Sequence, residues 1–203
     1  MAYAGSEYAD PSNFGATQVV KLLIAGGFGV GKTTLVGTVS EITPLRTEER
    51  LSEIGAAFDD LTGVENKTTT TVALDFGRIT LGPSLVLYLF GTPGQDRFWF
   101  MWKELSVGAL GAIVLADTRR LEDCFPAVDY FESRRIPFVV GVNCFDGADI
   151  YDEQEIRIAL DLPHDIPVHL CDVRRRESGK AILIRLLEHI RTESTASHRP
   201  AVG

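Results

Sequence analysis

Short apolar runs alternate with longer amphipathic stretches along most of the chain. Five runs are mostly apolar, a pattern typical of strands buried on both faces of a parallel sheet; they span residues 19–25, 85–90, 110–116, 136–142 and 166–171. A sixth segment, residues 72–81, alternates apolar and polar positions, which predicts a half-buried antiparallel strand. The hydrophobic pattern therefore predicts six strands.

Segments of helical composition fill the intervals between these strands. They are predicted at residues 32–41, 48–61, 96–107, 122–134, 152–160 and 178–191. In the last one, apolar residues recur at the spacing of a core-facing stripe: Ile182, Leu186, Leu187 and Ile190. Strands that alternate with helices predict an α/β fold: a single domain with a six-stranded, mostly parallel sheet, one antiparallel edge strand, and helices on both faces.

Composition sets the limits of this domain and excludes several classes of protein. The 203 residues are 45% hydrophobic, which is enough for one core over residues 18–191. The segments 1–17 and 192–203 are predicted to be flexible tails. The net charge of −8 argues against nucleic-acid binding, and no apolar run is long enough for a transmembrane helix. We therefore expect a cytoplasmic protein.

The glycine-rich turn after the first predicted strand carries the most specific motif in the chain. Residues 26–33 read GGFGVGKT and match the phosphate-loop pattern G-x-x-x-x-G-K-S/T. Glycines let successive backbone N–H groups point at phosphate oxygens, and the helix that follows adds partial positive charge. The Lys32 ammonium would neutralise the β- and γ-phosphates, and the Thr33 hydroxyl would bind Mg²⁺. The predicted phosphate-site residues are Phe28, Gly29, Val30, Gly31, Lys32, Thr33 and Thr34.

From this loop onward, the order of motifs resembles that of the small Ras-like GTPases. Residues 71–76, TVALDF, look like switch I of Rab-type members. The resemblance implies that Thr71 binds Mg²⁺ and the γ-phosphate and is part of the catalytic machinery. Because residues 68–71 are all threonine, Thr70 is the alternative. The metal ligands implied in this way are Thr33 and Thr71.

A second family motif follows the next apolar run. Residues 90–98, FGTPGQDRF, look like switch II of the same family. The resemblance implies that the Gly94 N–H group holds the γ-phosphate and that Gln95 orients the attacking water. Gln95 is thus the second expected catalytic residue.

The base-reading motif is only partly present. Residues 143–146, NCFD, keep the asparagine and the aspartate of N-K-x-D. The Asp146 carboxylate would accept hydrogen bonds from guanine N1–H and N2–H₂, whereas adenine offers neither donor. Residues 171–173 align by position with the S-A-K motif, so a backbone N–H near Asp172 or Val173 would contact guanine O6. The expected base-site residues are Asn143, Asp146, Cys171, Asp172 and Val173.

The resemblance covers about residues 18–191 and is closest to Ras-like proteins of actinobacterial conservons, often called ATP/GTP-binding proteins. The features that carry it include residues 68–77, the FGTPGQ variant and residues 115–120, LADTRR. It implies GTP, GDP and Mg²⁺ as ligands, a Roadblock/LC7-type regulator and a sensor-kinase-like protein as partners, and recruitment to the inner face of the membrane through them. The aromatic residues at 98–102 are equally compatible with a partner-binding patch and with the core.

Three positions depart from the family pattern. Gly91 stands where the family has the aspartate that holds Mg²⁺ through water, and either Asp75 or Asp96 could compensate for it. Cys144 replaces the lysine that packs over the base. Phe28 replaces a small residue, and its ring would crowd the γ-phosphate.

These departures leave two classes of function open. The first is a GTPase switch that hydrolyses GTP slowly, which Gln95 and Thr71 favour. The second is a nucleotide-locked pseudo-GTPase that serves as a protein-binding module, which Gly91 and Phe28 favour. A P-loop kinase of a small molecule fits less well, because residues 119–120 and 174–176 would be its only basic acceptor site.

Overall fold

A computed structural model describes residues 17–52, 69–94 and 99–197 of the chain. Its seven strands are β1 (Gln18–Gly26), β2 (Leu45–Ser52), β3 (Thr69–Leu81), β4 (Leu85–Gly91), β5 (Ala109–Ala116), β6 (Phe138–Asn143) and β7 (Val168–Cys171). Its helices are α1 (Lys32–Val39), α2 (Trp99–Ser106), α3 (Phe125–Arg134), α4 (Glu153–Ala159) and α5 (Arg176–Ser197). A 3₁₀ segment, Thr118–Cys124, leads from β5 towards α3.

All seven strands form one sheet in the order β2-β3-β4-β1-β5-β6-β7. The five strands from β4 to β7 in that order are parallel, while β3 runs antiparallel to β4 and β2 runs antiparallel to β3. The predicted fold class, a single mostly parallel α/β domain with an antiparallel edge, is therefore confirmed.

The edge of the sheet differs from the prediction. All six predicted strands are present, but β2 adds a seventh outside β3 and becomes the edge strand. The helix predicted over residues 48–61 is wrong where it overlaps β2, and residues 53–68 lie outside the described part of the chain. The charged sequence LRTEERLS has helical composition, yet its backbone pairs with β3 from Leu45 opposite Phe76 to Ser52 opposite Thr69. This pairing overrides the weak local preference.

The central strands are buried on both faces. Along β1, Leu22 and Ile24 belong to one hydrophobic layer, and Leu23 and Ala25 belong to the other. Helices α1 and α5 cover the first layer, and helices α2, α3 and α4 cover the second; this confirms the expected helices on both faces. The stripe predicted on the last helix is present, with three of its members fully or nearly fully buried and one partly buried: Ile182, Leu186, Ile190 and Leu187.

The last helix extends further than predicted. It runs to Ser197, so residues 192–197 are helical rather than part of a tail. Residues 1–16 and 198–203, where tails were also predicted, lie outside the described part of the chain. Within residues 17–52, 69–94 and 99–197, the helices are too short or too polar to cross a bilayer.

This topology brings the predicted motifs to one edge of the sheet. The carboxyl ends of parallel strands β1, β5, β6 and β7 lie side by side, and each is followed by a loop: residues 27–31, 117–124, 144–152 and 172–175. The edge of a parallel sheet at the carboxyl ends of its strands is where such folds bind ligands.

Candidate functional site

The glycine-rich turn between β1 and α1 has the geometry of a phosphate loop. Gly26, Gly29 and Gly31 have φ angles of 127°, 77° and 108°, which other residues rarely adopt. Gly31 is the N-cap of α1, and no side chain among the described residues caps the helix there. The first N–H groups of α1 thus face the loop without a side-chain partner at the cap, which suits an anion.

Lys32 is held inside this loop by backbone oxygens. Its ammonium donates to the carbonyls of Gly26 at 2.8 Å and Gly27 at 2.7 Å. Burial lowers the pKa of Lys32 to about 8, and the nearby Asp75 carboxylate partly opposes that shift. A bound phosphate would stabilise the positive charge of Lys32, which burial alone disfavours.

Asp75 fills the place that Gly91 leaves open. The register of β3 and β4 puts Asp75 directly opposite Gly91. A Cβ atom on Gly91 would lie 3.1 Å from the Asp75 Cβ and 3.3 Å from its Oδ2. The same Oδ2 accepts a hydrogen bond from the Thr33 hydroxyl. Of the two expected substitutes, Asp75 therefore supplies a carboxylate beside the loop; Asp96 lies outside the described residues.

The first residues of the predicted switch II lie against the end of β1 and the phosphate loop. The Thr92 N–H donates to the Ile24 carbonyl at 2.8 Å, and Thr92 is buried. A side chain at Gly94 would collide with the Lys32 ammonium and lie 3.0 Å from the Gly27 carbonyl oxygen. As long as the Lys32 ammonium stays where it is, only glycine fits at residue 94.

The described structure does not show where the side chains of the two expected catalytic residues, Gln95 and Thr71, lie relative to the phosphate loop. Gln95 lies outside the described residues. Thr71 and the alternative Thr70 lie in β3, opposite Arg50 and Leu51 of β2, and only their backbone is described. Their roles stay predictions.

Asn143 links the phosphate loop to the loop after β7. Its amide Nδ2 donates to the Val30 carbonyl at 3.0 Å, and its Oδ1 accepts from the Val173 N–H at 3.2 Å. The residue is only 4% exposed. A buried amide with both groups satisfied fixes the two loops relative to each other.

The expected guanine O6 donors are engaged inside the protein. The Asp172 N–H donates to the Ser178 hydroxyl at 2.9 Å, and the Val173 N–H donates to Asn143. Both N–H groups thus have a side-chain partner inside the protein, and the expected contact of a backbone N–H near Asp172 or Val173 with guanine O6 stays a prediction. Cys171 is buried in the core, and burial raises its thiol pKa to about 12. Its expected place at the base site stays a prediction.

The carboxylate expected to read the base has a partner that the sequence interpretation missed. Asp146 is exposed and accepts two hydrogen bonds from the Arg174 guanidinium, at 2.7 and 3.0 Å. This contact holds the pKa of Asp146 below its usual range. Cys144, where the family has lysine, is half-buried, and its thiol lies 3.8 Å from the Val142 carbonyl.

Another arginine, Arg120, contacts the phosphate loop. Arg120, from the 3₁₀ segment, donates to the Phe28 carbonyl at 3.0 Å and approaches the Asp123 carboxylate at 3.5 Å. Because the peptide unit is planar, fixing this carbonyl also fixes the direction of the Gly29 N–H. The Phe28 side chain itself is 66% exposed, so its ring does not fill the loop. In the sequence, Arg120 stood out only as part of the LADTRR segment, which resembles conservon proteins; that resemblance assigned no role to Arg120.

The aromatic cluster that follows the predicted switch II is partly core. Trp102 is 3% exposed, donates its indole N–H to the Pro93 carbonyl at 3.2 Å and stacks on Phe131. It cannot anchor a partner while buried in this way. The side chains of Trp99 and Phe100 and all of Phe98 lie outside what the structure describes, so a contact of Trp99 with a partner stays a prediction.

Comparison with known proteins identifies the family. Residues 24–193 match the family described as conserved hypothetical ATP binding protein. The chain belongs to this family. An uncharacterized protein of Methanocaldococcus jannaschii is 32% identical over 139 residues, which is 68% of this chain and 77% of that protein.

Solved structures confirm a P-loop fold of the G-domain type. The apo cytosolic domain of the T. maritima FeoB iron transporter aligns with a TM-score of 0.61 over 86% of this chain, at 18% identity. The FeoB G-domain of Methanococcus jannaschii aligns with a TM-score of 0.58 over 86% of this chain and 99% of that one, at 11% identity. The chain spans 65% of the T. maritima cytosolic domain. At these identities the likeness extends to the fold; the closer relationship to conservon proteins stays a prediction.

Proposed function

We propose that this protein is a guanine-nucleotide switch that binds GTP and GDP with Mg²⁺ and hydrolyses GTP slowly. The observation that carries the proposal is the contact between the Asp75 carboxylate and the Thr33 hydroxyl beside the phosphate loop. It supplies the acidic group whose absence at Gly91 argued for a locked binding module. With Lys32 in the loop, the phosphate side of the site then has a cation, a hydroxyl and a carboxylate.

The residues beside the loop suit Mg²⁺. A hydroxyl and a carboxylate are hard oxygen donors, and Mg²⁺ in nucleotide sites usually takes few protein ligands and completes its shell with water and phosphate oxygens. Thr33 and Asp75 would hold the ion, which would neutralise charge on the β- and γ-phosphates.

Asp146 supports guanine as the base. It is an exposed carboxylate on the loop after β6, and it already accepts two parallel N–H donors. A base that presents two adjacent donors suits this acceptor, and guanine does so whereas adenine does not. ATP is the second candidate, favoured by the description of the family and by the pairing of Asp146 with Arg174.

A switch acts through partners that distinguish its two nucleotide states. The segments that would change are those of the predicted switch I and switch II, residues 71–76 and 90–98. A Roadblock/LC7-type protein, together with a sensor-kinase-like protein, is the partner that the resemblance implies. In this proposal such partners also recruit the protein to the membrane.

Turnover separates the switch from the locked module. In single-turnover assays with GTP and Mg²⁺, we expect a rate on the order of 10⁻⁴ to 10⁻² s⁻¹ without a partner. Gln95→Leu should lower it by roughly ten- to hundredfold, because a residue that orients the attacking water contributes about that much. Gln154→Leu makes the same change at an exposed position of α4 and should leave the rate unaltered. Equal rates in all three proteins would favour the locked module.

A further inference from the structure

Arg174 bridges two carboxylates at the expected base edge of the site. It donates through Nη1 and Nη2 to the two oxygens of Asp146, at 2.7 and 3.0 Å. Its Nε and Nη2 also donate to the two oxygens of Asp172, at 2.8 and 3.0 Å. Both Asp146 oxygens therefore already accept a hydrogen bond.

The pairing has the same donor pattern as a guanine base. A guanidinium presents two parallel N–H groups to a carboxylate, and guanine presents N1–H and N2–H in the same arrangement. The two ligands would use the same two acceptor oxygens. Guanine therefore has to compete with Arg174 for Asp146.

We propose that Arg174 is a specificity-determining residue that occupies the base-reading carboxylate Asp146 in the nucleotide-free protein and is displaced by guanine. The inference rests on the proposed function. Asp172 makes the exchange feasible, because Arg174 keeps a charged partner when it releases Asp146. The pair is exposed, and exposed ion pairs are weak enough to yield to a ligand.

The competition acts on guanine alone. Adenine has no donor pair for Asp146 and so does not need to move Arg174. Removing the guanidinium should therefore strengthen guanine binding and leave adenine binding as it was. The Arg174–Asp146 pair therefore reduces the preference of the protein for guanine nucleotides over adenine nucleotides.

The first test compares GDP and ADP titrations of three proteins with Mg²⁺ present. Arg174→Gln should lower the Kd for GDP by about three- to fivefold, the range of an exposed ion pair, and leave the Kd for ADP within about twofold. Arg175→Gln is the control: it removes one positive charge from the neighbouring exposed side chain, whereas both hydrogen bonds to Asp146 come from Arg174. It should change neither the Kd for GDP nor the Kd for ADP. Unchanged or weaker GDP binding in Arg174→Gln, or an equal gain for ADP, would overturn the inference.

The second test does not need a nucleotide. The Nη1–H resonance of Arg174, whose group donates to Asp146 and which is assigned by its loss in Arg174→Gln, should shift in the free protein on Asp146→Asn. It should stay in place on Asp149→Asn, an exposed control. GDP should move it in the direction of the Asp146→Asn spectrum. A resonance that is insensitive to Asp146→Asn would refute the pairing. If this shift is seen but the wild-type protein and Arg174→Gln both bind no nucleotide, the proposed function fails and the displacement fails with it, while the pairing stands.

Discussion

Lys32→Ala is expected to raise the Kd for GDP and GTP by at least about hundredfold, which corresponds to ~2.7 kcal/mol. The ammonium makes charge-assisted hydrogen bonds to phosphate in a partly water-free loop, and each such bond contributes about 1.5–3 kcal/mol. Isothermal titration calorimetry measures the effect. Burial lowers the pKa of Lys32 to about 8, so its charge is less stable in the free protein than in water. Removal of the charge is therefore not expected to unfold the domain.

Two further variants control this experiment. Lys180→Ala removes a lysine from an exposed ion pair on α5 and should leave the affinity within about twofold. Lys32→Arg keeps a charge that does not titrate, so its weaker binding should be independent of pH. Wild-type affinity should fall as the pH rises above about 8, where the free protein loses the Lys32 proton that the bound phosphate requires. Retained affinity in Lys32→Ala would mean that the nucleotide binds elsewhere.

Asp75→Asn is expected to reduce strongly the dependence of nucleotide affinity on Mg²⁺. The carboxylate accepts from Thr33 at the place where the ion would bind, and the loss of a supporting carboxylate lowers metal affinity by roughly 10- to 100-fold. Asparagine keeps the size and an acceptor oxygen for Thr33, so the fold should survive. The Kd for GDP measured with Mg²⁺ and with a chelator gives the dependence directly.

A charge-relocation variant sharpens this test. Asp75→Gly combined with Gly91→Asp returns the carboxylate to β4 from the opposite position on β3, and part of the Mg²⁺ dependence should come back. Gly91→Asp alone should be poorly tolerated, since its Cβ would lie 3.1 Å from the Asp75 Cβ. Asp129→Asn, at an exposed position of α3, should behave as wild type. Undiminished Mg²⁺ dependence in Asp75→Asn would remove Asp75 from the metal site.

The parallel sheet could be read from the sequence because its strands are buried on both faces. Runs such as residues 110–116 have few polar positions, and their length suits a strand. Strand β2 could not be read in this way. Its charged sequence does not alternate apolar and polar residues in the way that indicates a strand. Only its pairing with β3 distinguishes it from a helix.

The role of Asp75 depends on the register of a hairpin. Leu81 pairs with Leu85 across the turn at residues 82–84, and six residues further from the turn on each strand, Asp75 lies opposite Gly91. The sequence predicted both strands and the turn but not this register, so it left Asp75 and Asp96 as equal substitutes. Arg174 was harder to recognise, because in the sequence a run of three arginines looks like an ordinary solvent-exposed surface. Only the structure shows that Arg174 contacts Asp146.

Competition between GDP and ADP for the Mg²⁺-loaded protein tests the central claim most directly. If Asp146 reads the base, GDP should bind at least about tenfold more tightly than ADP, and Asp146→Ala should abolish the difference by weakening GDP alone. Binding of ADP as tight as that of GDP, or tighter, would contradict guanine recognition and favour an ATP-binding protein.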